Sequence, residues 1–219
     1  MQEKKQNKIL KIIGQIFGTI FVVLCFLIIF FNLSHEYHVI SGASMTPTLN
    51  ENSTVDGVFV SKIKGYTRGD ILVVNKGEKD INGQDIFVIK RLIALSGDKI
   101  TVKEINGEYR IVLIYSGQEE QVVLDEPYLD GYAQNSTLYS KFNSMLQEKN
   151  YDIDESGFFT IPDGEIFYLG DNRIISQDSS TYGSKKQSLV VGVVDYIIYG
   201  NTNPYLQVIQ QIFGGGVWK

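Results

Sequence analysis

Residues 12 to 34 run for 23 positions without a charged side chain, and no other feature constrains the fold as tightly. Gln15, Thr19 and Asn32 are the only clearly polar side chains before Ser34. Coiled as a helix, the stretch reaches roughly 30 Å, the thickness of a bilayer's hydrocarbon core. No later run is comparable, so the sequence predicts a single transmembrane helix, with Cys25 inside it as a small apolar residue. Lys4, Lys5, Lys8 and Lys11 precede it against one acid, Glu3. Positive charge on that side predicts a cytoplasmic N-terminus over 1–11, an anchor over 12–34 and an extracytoplasmic remainder. A cleaved signal peptide is the alternative. It fits less well, because its apolar region usually spans 7–15 residues. The small-x-small pattern Ser41-Gly42-Ala43 lies well past the apolar end.

Beyond the anchor the charge changes sign. Residues 34–219 carry 16 Lys and Arg against 24 Asp and Glu, a net charge of −8 that gives no reason to expect nucleic acid as a partner. Apolar stretches rich in Val, Ile, Phe and Tyr recur at 55–60, 69–74, 85–95, 98–104, 109–114, 164–169 and 189–199, mostly bounded by Gly, Asn or Asp. Asn106-Gly107 marks a hairpin turn. The fold class is therefore mainly β over 35–200. One helix is expected over 137–148, with Asn135 or Ser136 as its N-cap and Asn150 at its end. Residues 115–160 are more polar and read as an inserted subdomain. In the tail, 201–219, an apolar stripe of Leu206, Ile209 and Phe213 is too short to span a membrane. It is expected to pack on the β-domain.

Histidine and cysteine are scarce, and that narrows the chemistry. His35 and His38 both follow the span directly and read as solvated interface residues, so a Ser-His-Asp triad has little to draw on. A single cysteine excludes a disulfide framework, and no His/Cys metal site is expected. A serine nucleophile would then need another base, and lysine is the one that burial can retune. Ser61…Lys64 and Ser96…Lys99 have the Ser-x-x-Lys spacing, but such pairs are common by chance. SGASMTPTL (41–49) and FVIKRLIALSGD (87–98) make a better pair. Gly42 and Pro47 restrict the backbone around Ser44. Strand alternation sets Val88, Lys90 and Leu92 on one face and Ile89, Arg91 and Ile93 on the other. Both faces are apolar, so at least one cation sits in a dry setting or at its rim. A desolvated Lys90 can be neutral near pH 7, whereas Arg91 stays charged. On periodicity alone, a pair snorkelling at a strand edge is the favoured reading. A third segment, FYLGDNRIISQDSSTYG (167–183), runs from an apolar strand into a turn dense in hydroxyls and carboxylates.

Together, SGASMTPTL, IKRLIALSGD and GDNRIISQDSSTYG resemble the sequence boxes of type I signal peptidases, membrane-anchored Ser/Lys proteases that remove signal peptides from exported proteins. GDILVV (69–74) resembles a further box and LDEPYL (124–129) a segment between them, in matching order from about Lys8 to Gly200. The single span is similar to the Gram-positive branch. The resemblance implies Ser44 as nucleophile, Lys90 as general base and Ser176 as the serine that hydrogen-bonds and orients the lysine. It implies Asp178 in a supporting network, and Gly170, Asp171, Asn172 and Arg173 as the box that shapes this face. Met45, Leu49, Val88 and Ile89 match positions lining shallow pockets for small residues before the cut. The implied partners are signal peptides of exported preproteins, the lipid bilayer and the secretion translocon, with no cofactor. Two positions depart from the pattern. Gly42 stands where some members have a serine that donates to the oxyanion, and Asp178-Ser179-Ser180 stands where Asp-Ser-Arg is usual. Other readings are an SOS-repressor-type autoprotease, and a specialised or non-catalytic signal-peptidase-like factor for pilus assembly.

Overall fold

The computed structural model describes residues 2–49, 57–129, 131–200 and 203–213. The chain divides into two units, Met1–Glu36 and Tyr37–Lys219. The first is essentially one helix, α1 (Gln2–Ser34). Its Gln6–Ser34 stretch is long and apolar enough to cross a membrane, and its large apolar side chains are exposed along its length. A single helix of this kind fits a single-pass anchor.

The elements that follow are mostly short strands: β1 (His35–Val39), β2 (Gly57–Ser61), β3 (Ile71–Lys79), β4 (Asp85–Leu95), β5 (Lys99–Ile105), β6 (Glu108–Ile114) and β7 (Gln121–Val123). Helix α2 (Asn135–Glu148) precedes β8 (Phe159–Thr160) and β9 (Glu165–Leu169). Helix α3 (Ser179–Tyr182), β10 (Lys185–Lys186), β11 (Val190–Ile198) and α4 (Pro204–Phe213) complete the order. Seven strands form one sheet in the order β1-β2-β11-β3-β4-β9-β10, and four form a second in the order β7-β6-β5-β8. Every expected strand is present, although residues 55–56 lie outside the described residues. The expected β5–β6 hairpin turns on Asn106 and Gly107, both at positive φ, as a tight mirror-image turn demands.

Three buried clusters hold this framework. One joins the second sheet to the first and to α2 through Ile93, Ile100, Leu113, Leu138, Phe142 and Phe167. Another gathers Met45, Leu49, Val58, Val73 and Val194, and a third gathers Leu72, Leu92, Ile166 and Tyr168. Residues 115–160 are woven into this arrangement. β7 pairs with β6, β8 pairs with β5, and α2 buries Leu138, Phe142, Met145 and Leu146 in the first cluster. Most of the polar residues that suggested an insertion occupy the loops and the outer face of α2, with Glu126 and Asn135 buried.

Two local expectations are corrected. The N-cap of α2 is Gln134, without a side-chain cap bond, rather than Asn135 or Ser136. Asn135 is fully buried in the first turn instead, donating to the Tyr109 carbonyl and accepting from Arg173. A buried amide that bridges two elements satisfies more polar groups than a cap would. The tail does pack on the β-domain, but not by Leu206 and Ile209 of the expected stripe; the side chain of Phe213 lies outside the described residues. Helix α4 lays Val208 inward and Tyr205 against Phe59, and Gln211 donates to the Ile197 carbonyl, whereas Leu206 and Ile209 are exposed.

Candidate active site

Ser44 lies on a tight turn between β1 and the first buried positions of the next segment. Thr46 N–H donates to the Ala43 carbonyl and Leu49 N–H to that of Met45, closing successive turns. Met45 and Leu49 are buried, which nails the turn to the core below it. Gly42 has φ +102°, in the region that favours glycine. Any side chain there would be strained, so the departure from serine matches the backbone this turn adopts.

Strand β4 supplies Lys90. Pairing with β3 puts Lys90 opposite Leu72, and pairing with β9 begins one residue later, at Arg91 opposite Leu169. Lys90 is only 3% exposed, so it does not snorkel. Val88 and Leu92 pack with the third cluster and Ile89 with the second, so apolar surface flanks it on both faces of the sheet. Its Nζ lies 2.6 Å from Ser44 Oγ and 3.0 Å from the Ile89 carbonyl. Burial pushes the amine below its ordinary value of 10.5, and the negative charges of Asp178 and Asp171 oppose that shift in part. A largely desolvated amine in hydrogen-bond contact with a hydroxyl can accept that hydroxyl's proton. Neither histidine hydrogen-bonds Ser44 among the described residues. His35 stacks on Phe31 and His38 contacts Phe87 edge-on, both half-buried rather than fully solvated.

The segment after β9 encloses the pair. Asn172 N–H donates to the Ser44 carbonyl, and its side-chain amide donates to Thr46 Oγ1, so this turn grips the Ser44 turn twice. Asp171 is fully buried. Arg91 clasps it in bidentate fashion from β4, Nε at 2.9 Å and Nη2 at 2.6 Å, and Thr48 donates to the same carboxylate. One carboxylate thus ties β4, the Ser44 turn and the Gly170 turn together. Arg91 also lies over the Tyr128 ring and donates to the Gly69 carbonyl. Asp178 accepts from Gly170 N–H, Ser180 N–H and the Ser180 hydroxyl. Ser180 therefore satisfies the carboxylate without bringing a positive charge.

Ser176 departs from its expected contact. Its Oγ is buried and makes no hydrogen bond, to Lys90 or to any other described residue. It is nevertheless near: a Cβ added at Gly170 would meet Ser176 Oγ at 2.2 Å and the Ser44 carbonyl oxygen at 2.4 Å. Gly170 is where the two serine-bearing segments converge. Arg173 is buried and forms an ion pair with Glu126 while donating to Asn135. Among the residues assigned to the pockets, Met45 and Leu49 are core side chains, and Val88 and Ile89 remain half-buried on opposite sheet faces. The Thr48, Arg91, Glu126 and Asn135 partnerships went unread. Thr48, Arg91 and Glu126 lie inside SGASMTPTL, FVIKRLIALSGD and LDEPYL, but their partners are distant in sequence and no local pattern pairs them.

A family model described as signal peptidase, peptidase S26, matches residues 11–199. The chain belongs to that family. It is a serine protease of the signal peptidase I type, and the relatives agree. Signal peptidase I of Bacillus caldolyticus is 32% identical over 161 residues, 73% of this chain and 76% of its own. Signal peptidase I S of Bacillus subtilis (strain 168) is 30% identical, covering 74% and 76%. Signal peptidase IB of Staphylococcus aureus is 29% identical, covering 73% and 75%. A solved signal peptidase I from Enterococcus faecalis V583 is 26% identical, covering 61% of this chain and 99% of that one, with a TM-score of 0.37. The family match spans the peptidase from within its apolar helix to the end of β11.

Proposed function

We propose that this peptidase removes signal peptides from exported preproteins at the outer face of the cytoplasmic membrane, by acyl transfer through Ser44 and Lys90. One observation carries the reading: a lysine with 3% exposure holds its Nζ 2.6 Å from a serine hydroxyl. Neutral Lys90 takes the Ser44 proton as Oγ attacks the carbonyl carbon at the cut. The tetrahedral intermediate collapses as the protonated lysine delivers that proton to the leaving amine. The resulting acyl-enzyme is then hydrolysed by a water that Lys90 deprotonates. Ser44 N–H is one donor to the oxyanion. Asp178 and the Gly170–Arg173 turn support the lysine side of the site with Ser176 close by. Half-buried Ile89, backed by the buried Met45 and Leu49, offers apolar surface to small residues before the cut, while Val88 lies on the other sheet face.

The bound substrate lies extended. Among the described residues, residues 85–90 of β4 pair with β3 alone, because β9 takes up β4 only from Arg91. That open edge suits β-augmentation, in which main-chain hydrogen bonds align an incoming strand. The anchor, cytoplasmic on its lysine-rich side, keeps the site where signal peptides emerge with the translocon and lipid around them.

Full-length Ser44→Ala and Lys90→Ala, assayed on a preprotein in vesicles, are each expected to lose processing by at least about a thousandfold while remaining folded. Lys90→Arg is expected to fail equally, since a guanidinium stays protonated. Processing retained in Lys90→Ala would overturn the dyad.

A further inference from the structure

Helix α2 reaches the site through Lys141. Its ammonium donates to the carbonyls of Arg173 (3.0 Å), Ile174 (2.9 Å) and Ser176 (2.9 Å). An ammonium has three protons, and here each finds an acceptor on one short loop. Lys141 forms no ion pair among the described residues, so its charge is committed to those carbonyl dipoles. Besides Lys141, the Ser176 backbone is held by its own N–H, which donates to the Asn172 carbonyl at 3.0 Å. Ile174 and Ile175 at the tip of the loop are exposed, and little apolar packing holds the loop from that side. Its remaining ties to α2 are the side-chain amide oxygen of Gln134, Oε1, which accepts from Arg173 N–H, and the buried Arg173–Asn135 bond.

The cargo of this loop is Ser176, whose buried Oγ makes no hydrogen bond among the described residues and converges with the Ser44 carbonyl on Gly170. A hydroxyl with no bond of its own takes its position from its backbone, which Asn172 holds at the N–H and Lys141 at the carbonyl. We propose that Lys141 is a positioning residue of the peptidase, fixing the Ser176 hydroxyl against the Ser44–Lys90 pair. This rests on the dyad reading above. It makes α2, from the polar region between β7 and β8, part of the catalytic apparatus.

The test uses full-length enzyme with Lys141→Met, which keeps the stem and deletes the ammonium, alongside Ser176→Ala and the double variant. Lys141→Met is expected to lower kcat between about tenfold and a hundredfold, the scale of a misplacement of about 1 Å. KM should stay within about twofold and the melting temperature nearly constant. In the Ser176→Ala background the same substitution should cost less than about twofold, because the two act through one group. Aminoethylation of Lys141→Cys, on a Cys25→Ala background, restores a primary amine of similar length and should restore kcat. An unchanged kcat, a loss confined to KM, a loss that simply multiplies that of Ser176→Ala, or no recovery on aminoethylation would each overturn the proposal. Ser44→Ala run in parallel separates the two questions, because activity retained there would sink the dyad whatever Lys141 does.

Discussion

Lys90 carries the most chemistry per atom in this chain, and its environment predicts a pH signature in both stability and rate. Because burial lowers its pKa in the folded state, the unfolded chain binds more protons between that lowered value and 10.5. Stability therefore rises with pH across this window. The cost of burying the amine is largest below the folded pKa and gone above 10.5. Lys90→Met should thus melt higher than the parent at pH 7, with the gap closing as the pH passes 10.5, measured by thermal denaturation across a pH series. Asp178 pulls the other way on the same amine. Asp178→Asn should move the limb on which kcat/KM rises with pH toward lower pH, read from the pH–rate profile on a soluble peptide. A limb that stays put would disconnect Asp178 from the base. Sequence went some distance at this scale. Apolar residues on both sides of Lys90-Arg91 showed that a cation was dry, and the inability of guanidinium to deprotonate chose between the two. It could not show that Lys90 is the drier one. That depends on where β9 stops pairing, and a register shift between Leu92 and Ala94 is invisible in a hydrophobic pattern.

Elements were legible in proportion to how local their causes are. Strands bounded by Asn and Gly, and the Asn106-Gly107 turn, follow from neighbours in sequence. The start of α2 does not, because Asn135 answers to Arg173 and Tyr109, partners 38 and 26 residues away. The GDNR turn likewise read as a polar loop on its own, yet its glycine is the place where two loops meet. Gly170→Ala would drive a methyl group into Ser176 Oγ and the Ser44 carbonyl, so kcat/KM should fall by at least about a hundredfold. The Arg173–Glu126 pair makes a stability prediction for the same turn. Glu126→Gln leaves a buried guanidinium without its counter-charge and should cost about 3–5 kcal/mol in urea denaturation.

At the scale of the whole molecule, the chain joins an apolar helix to a unit whose core is its own. Deleting residues 1–34 should leave kcat/KM on a soluble peptide within a few-fold of the parent. Processing of a preprotein presented in vesicles should fall at least about tenfold, since proximity to the bilayer is lost. Equal losses on both substrates would mean that the helix shapes the site itself. This division was the most legible part of the sequence, because an uncharged stretch of that length has few other uses.

The half-open β4 edge also has a cost of its own. Asp85, Ile86, Phe87, Val88 and Ile89 form a strand segment rich in apolar side chains that, among the described residues, has a neighbouring strand on one side only, the kind of surface through which proteins aggregate. A second copy of the same edge offers the hydrogen-bonding groups that the proposed substrate strand would offer. Tethering each molecule in a bilayer keeps such edges dilute and similarly oriented, while releasing the domain into solution frees them to meet. The purified, anchorless domain should therefore self-associate with rising concentration, and a short peptide bound along the edge should keep it monomeric in sedimentation.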